Sequence, residues 1–423
     1  MSDVSPVEFG GEGRSATLSD IAPDHLLQAF AHPGSGAGAL ALDGLERILF
    51  SAHARRVIHA VLENAAADVT NRMPGLERVL REWCASETAS HWSRPVGALW
   101  RGCETGEVED VPSKLAELGL EVSFGGVSGD WEFRQLDPIS VRIGSYMASN
   151  VVSGCVECDG RSLRCTLSTL RGDGLSLTAR STSSVDAAMS VDRVEGGWTR
   201  LQLVQSGWAK LVLIPSDLVG TELLPSYAES AFQSLSERGE TGLALADGLR
   251  FIEQSASKFV PWVSILREVV PLRSLGGSLA SSSSPWDCGV AAVTVTQKGA
   301  AVAEMLVHEA SHQHFFVAKH LGRLEDGSDQ RQYYSPMVSN NRPLEKMILA
   351  YHALGNMVIM HSEMIRADLA VSGCHERMSA LGVRLRLVEP VVLRSTALTR
   401  LGQALVRPLA ERVERLREDR ILT

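Results

Sequence analysis

The spacing of apolar residues divides the chain into three textures. Between about Ile21 and Ser86 they recur at every third and fourth position, as in LDGLERILFSAHARRVIHAVLENAAA and again in PGLERVLREWCA behind Pro74. That period is one face of an α-helix, and proline suits a helical first turn. From about Trp92 to Pro215 the pattern shortens to alternation broken by Gly and Asp-Gly. ISVRIGSYMASNVVSGCVECDGRSLRCTLSTL and WTRLQLVQSGWAKLVLIP therefore predict strands joined by hairpins. From about Glu222 the helical period returns, interrupted by EVVPLRS and GVAAVTVTQ, which predict a strand pair. No internal repeat is evident. The expected fold class is α+β and mainly helical. It comprises a polar tail over residues 1–20, a helical region over 21–90, a β-rich region over 91–220 and a helical region over 221–423 with a short strand pair.

The last region holds the strongest chemistry. GAAVAEMLVHEASHQHFFVAKHLG consists of good helix formers and ends at Gly322, a natural stop. On such a helix His308 and His312 lie about 40° apart, so both imidazoles can face one metal ion. Met305 and Phe315 share that face, which points it inward, while Gln313 and His314 point elsewhere. Glu309 follows the first histidine and completes an HExxH pattern, in which a zinc peptidase would use it as general base.

A metal kept open for chemistry needs a third protein ligand. The stretch RPLEKMILAYHALGNMVIMHSEMI, opened by Pro343, predicts a buried helix on which Glu345, His352, Asn356 and Glu363 lie within about 20° of one line. A polar stripe on an apolar helix calls for partners, and the HExxH helix is a fitting one. His352 is the best candidate ligand because imidazole suits borderline transition metals. Glu345 or Glu363 could serve instead, or orient the histidines.

Composition narrows the class. With 423 residues, 44% hydrophobic and 22% charged, the chain has the make-up of a globular protein of two or three units. Its net charge of −9 and lack of a long basic run argue against a nucleic-acid partner. Seven cysteines are too few for a disulfide scaffold. No apolar stretch suits a membrane span and no signal peptide is visible, so the expectation is a cytoplasmic protein.

The order LVHEASHQH followed by YYSPMVSNNRPLEKMILAYHALG, behind SLASSSSPWDCGVAAVTV, resembles the HExxH-containing peptide-modification proteins found with ribosomally made peptide natural products. The resemblance covers about Glu268 to Met364. Members of that family are iron(II)- and 2-oxoglutarate-dependent β-hydroxylases of peptide side chains. The resemblance implies that His308, His312 and His352 bind iron, leaving positions for 2-oxoglutarate and dioxygen. It implies further that Arg342 holds the far carboxylate of the cosubstrate, with hydroxyls of the Ser281–Ser284 run, Ser284 in particular, beside it. The partner would be a precursor peptide, and a homodimer is compatible with the chain.

Two other classes stay open: a zinc metallopeptidase that depends on Glu309, and a non-catalytic peptide-binding protein indifferent to His308. The Arg-Pro-helix-His continuation favours the oxygenase, for which Glu309 has no fixed role. His320 fits neither ligand geometry. Cys155 and Cys158 form a CxxC, but positions three apart on a strand face opposite sides, and Asp159-Gly160 predicts a hairpin turn there. The β-rich region could hold a leader segment by strand addition.

Overall fold

A computed structural model describes residues 27–35, 39–86, 94–105, 111–181, 189–219, 223, 238–272, 280–296, 298–367 and 373–422. The polar tail expected over 1–20 lies outside them. The fold is α+β, mainly helical, with antiparallel sheet in the middle of the chain. Two compact units divide it: one of residues 1–46, 244–265 and 296–423, the other of 47–243 and 266–295.

In the second unit, α1 (Ala39–Arg72) enters from the first stretch and is followed by α2 (Leu76–Ala85), α3 (Arg94–Thr105) and α4 (Val111–Phe124). The last two are a correction, because the region from 91 onward was expected to be β-rich and opens on two helices instead. Strands begin at β1 (Gly129–Ile143) and continue as β2 (Tyr146–Cys158), β3 (Ser162–Thr169), β4 (Gly174–Ser181) and β5 (Met189–Glu195), an antiparallel meander in chain order. Short β6 (Thr199–Arg200) adds to β2. Residues of β3 and β4 alternate between buried and accessible up to the last residue of each strand, as a sheet covered on one face requires. The Asp159-Gly160 turn forms as expected: Gly160 takes φ +85°, and the Asp159 carboxylate accepts the amides of Arg161 and Ser162 at 2.8 and 2.6 Å.

A second sheet follows the order β10-β11-β9-β8-β7, from β7 (Leu203–Gln205), β8 (Lys210–Leu213), β9 (Glu268–Leu272), β10 (Ser281–Ser282) and β11 (Val290–Thr294). The expected strand pair is β9 and β11, which run parallel. Both are buried at every position, which explains their unbroken apolar runs. Pro271 is tolerated in β9 because β8 pairs only as far as Val269, so no ladder needs its amide on that side. This pair belongs to the second unit and not, as its sequence neighbours suggested, to the helical one.

The first unit contains α5 (Arg238–Ser255) from Ala244 onward, α6 (Val260–Val263), α7 (Gly299–Ala318), α8 (Leu344–Arg366), α9 (Cys374–Leu393) and α10 (Arg400–Glu418). A small hairpin of β12 (Tyr333–Ser335) and β13 (Asn340–Arg342) precedes α8. Helix α8 is the centre of this unit, packed by α7, α9 and α10, and most of its residues are buried. Gly355 lets α10 approach, since a Cβ there would meet Leu409 at 2.9 Å. Helix α10 starts on Thr399, whose hydroxyl accepts the Gly402 amide at 3.1 Å.

Candidate metal centre

Helix α7 builds the site. From Val302 to Ala318 every residue is buried except His308 and His312. Their side chains keep 13% and 17% exposure, so the helix meets solvent at these two positions alone along that stretch. The imidazole rings stand 4.4 Å apart between centroids. Glu309, fully buried, reaches both: Oε1 lies 3.6 Å from His308 Nε2, and Oε2 lies 3.3 Å from His312 Nδ1. Ligand atoms of the three fall within 4.8 Å of one another, the one such group among the described residues. Burial, then the nearby His312, pushes the His308 pKa down to about 4. Its ring is therefore uncharged at neutral pH, the form that offers a lone pair to a metal.

The rear of α7 is locked by α6. Trp262 Nε1 donates to Ser311 Oγ at 3.1 Å, and Ser311 Oγ donates to the Val307 carbonyl at 2.7 Å. His314 Nε2 donates to the Trp262 carbonyl at 2.8 Å, and the two rings stack 3.9 Å apart. His314 thus points away from the site, as expected; Gln313 is fully buried, and His320 lies half-buried beyond the helix end. The helix stops where foreseen, at a tight turn over Lys319–Leu321 and Gly322 with φ +150°.

His352 is not gathered with these residues. It is 1% exposed and its Nε2 donates to the backbone carbonyl of Phe30 at 2.7 Å. Asn356, one turn on, donates to the Ala31 carbonyl at 3.1 Å. The polar stripe of α8 therefore finds partners, but those of its middle are carbonyls of the segment 27–35 and not the histidines of α7. At its ends Glu345 pairs with Lys319 at 2.6 Å, and Glu363 with Arg412 at 2.7 Å and Lys258 at 3.3 Å. Neither glutamate stands among the metal-type ligands.

Arg342 ends β13, opposite Tyr333, in the same unit as the site. Ser284 belongs to the other unit, where its Oγ accepts the Trp286 amide at 3.1 Å, a local turn bond. Cys155 and Cys158 sit on β2 as free thiols.

One polar cluster had not been anticipated. Glu304, one turn before His308 on α7, is 1% exposed and accepts from His361 Nε2 at 2.8 Å and from Arg377 Nε at 2.8 Å. Burial raises its pKa, but hydrogen bonds from Arg377 and His361 outweigh that and hold it at about 2. The available signal was an acid inside an apolar helical run, which needs a buried partner.

Two imidazoles and one carboxylate, with access to solvent at the imidazoles, match the donor set of non-haem iron sites and also of zinc. The residues present fit a divalent transition metal. No protein-family model and no curated protein matches the chain.

Proposed function

We propose that the chain is an iron(II)-, 2-oxoglutarate- and dioxygen-dependent hydroxylase of a side chain in a ribosomally made precursor peptide. The observation that carries this reading is the gathering of His308, Glu309 and His312 at the one solvent-reaching point on the inner stretch of α7. Iron bound there would supply the oxidative decarboxylation of 2-oxoglutarate to succinate and carbon dioxide, with the second oxygen atom going to the peptide as hydroxyl. The chain's own part is to bind and orient. His308 and His312 would donate lone pairs, and the buried Glu309 carboxylate would offset the charge of the cation. The lock of Trp262, Ser311 and His314 holds both rings on one face. Arg342, a planar cation on β13, is the partner for the far carboxylate of 2-oxoglutarate.

An HExxH peptidase needs four groups: two histidines, a separate third ligand and a glutamate left over as base. Among the described residues three come together, which suffices for a facial iron site and falls one short for the peptidase. All seven cysteines are free, which supports a reducing compartment such as the cytoplasm. No helix of the described residues is long and apolar enough to cross a membrane.

The test is to load the protein anaerobically with iron(II), add 2-oxoglutarate and a candidate precursor peptide, and admit air. Succinate with a one-oxygen mass gain on the peptide supports the proposal. Peptide cleavage under zinc without oxygen gain contradicts it.

A further inference from the structure

A groove of about 590 Å³ lies in the first unit between α10 and the segment Leu27–Ser35. Three arginines of α10 line it, Arg400, Arg407 and Arg415, all exposed. Spaced seven and eight residues apart, they fall on one face of the helix and place their Cα atoms about 10 and 12 Å apart along its axis. Gln403 steadies the middle one, its Oε1 accepting from Arg407 Nη2 at 2.8 Å. Glu411 is the single acid in the wall.

Opposite stand Gln28, His32 and Ser35. Ser35 stiffens this segment, its Oγ accepting the His32 amide at 3.1 Å while its own amide bonds the His32 carbonyl at 3.0 Å. Burial above all holds the His32 imidazole below its usual pKa, so it adds no charge at neutral pH. The groove is cationic in a chain whose net charge is −9.

We propose that this groove binds an extended acidic stretch of the substrate peptide, an inference that rests on the peptide-modifying reading above. The arginines span about 22 Å of helix axis, too far for one phosphate or one small carboxylate. A peptide in the extended polyproline II form advances about 3.1 Å per residue with three residues per turn, so carboxylates on every third residue share one face at about 9 Å spacing, within reach of the long arginine side chains. Gln28 offers an amide group for the peptide backbone. The same segment whose outer side lines the groove gives its Phe30 and Ala31 carbonyls to His352 and Asn356 on α8. A docked peptide therefore braces the segment that anchors the helix beside the metal-binding α7.

The experiment uses the full chain without metal, so that it stands apart from the iron chemistry. A fluorescein-labelled ten-residue peptide with Glu at every third position is titrated by anisotropy, beside the same peptide with Gln at those positions. The Glu peptide binds, the Gln peptide binds at least about tenfold more weakly, and Arg407→Glu or Arg415→Glu weakens the Glu peptide by at least about tenfold. Binding also slows amide exchange over residues 27–35. Equal affinity for the two peptides, which requires no variant, overturns the proposal, as does unchanged affinity in both folded variants. Tighter binding of a single-stranded oligonucleotide, with the same loss on charge reversal, makes the groove a nucleic-acid site and overturns it as well. Loss of peptide binding with intact succinate formation would leave the metal reading standing and remove only this one.

Discussion

The ring nitrogen Nε2 of His352 lies 2.7 Å from the carbonyl oxygen of Phe30, 322 residues earlier in the chain. That bond fixes the tautomer, with the proton on Nε2 and the lone pair on Nδ1, and it ties α8 to the segment 27–35; His352 is not in the group that His308, Glu309 and His312 form. Replacing His352 by Leu leaves the Phe30 carbonyl buried without its donor and costs about 1–3 kcal/mol. His352→Gln, whose amide nitrogen can reach the same carbonyl, restores most of the loss. Metal stoichiometry, measured on the same samples, stays at the wild-type value in both. A ligand role would instead lower it in both.

The same residue makes stability depend on pH. Burial pushes the His352 pKa down to about 3, against about 6.5 in the unfolded chain. Between those values the unfolded state binds the additional proton. The contribution of neutral His352 is therefore complete above pH 6.5 and is lost as pH falls toward 3. The slope is about 1.4 kcal/mol per pH unit, so about 2 kcal/mol is gone by pH 5. Denaturant titrations of wild type and His352→Gln from pH 7 to pH 5 should differ by this amount, the variant being the flatter.

Glu309 separates the iron and zinc accounts. With its carboxylate between the two imidazoles it acts on the metal itself, so Glu309→Gln weakens iron(II) binding by at least about tenfold. A general base would be dispensable for binding, and the variant would then hold metal normally while losing activity. Isothermal titration with iron(II) under nitrogen reads the difference.

Glu304 is buried between His361 and Arg377, and removing one partner of such a pair strands the others. Glu304→Gln should cost about 3 kcal/mol in denaturant unfolding. The exposed pair Arg366–Asp419, at 2.7 Å, is a control, and Arg366→Ala should cost less than about 1 kcal/mol.

Local features were legible in the sequence and distant ones were not. The four-residue spacing of His308 and His312 is a property of one helix, and the helix formed. The stripe of Glu345, His352, Asn356 and Glu363 correctly announced partners. Its central partners are backbone carbonyls of Phe30 and Ala31, which leave no trace in residue identity. Helices α3 and α4 were hidden by their glycines. Gly97 sits where a Cβ would come within 1.5 Å of the Trp286 carbonyl oxygen, and Gly119 where one would meet Leu76 and Trp131. Both are required by close packing, yet in sequence they read as helix breakers. The strand pair of β9 and β11 was found, but its unit was misassigned because residues 266–295 interrupt the first unit in sequence.

The measurement that bears most directly on the central claim is the fate of isotopically heavy dioxygen. Iron-loaded protein is supplied with 2-oxoglutarate and heavy dioxygen in ordinary water, and succinate is collected for mass spectrometry. The account predicts one heavy oxygen atom in each succinate, with the product abolished by His308→Ala and by His312→Ala. Absence of succinate from the metal-loaded protein in the presence of its peptide, or succinate formation that survives both substitutions, would contradict it.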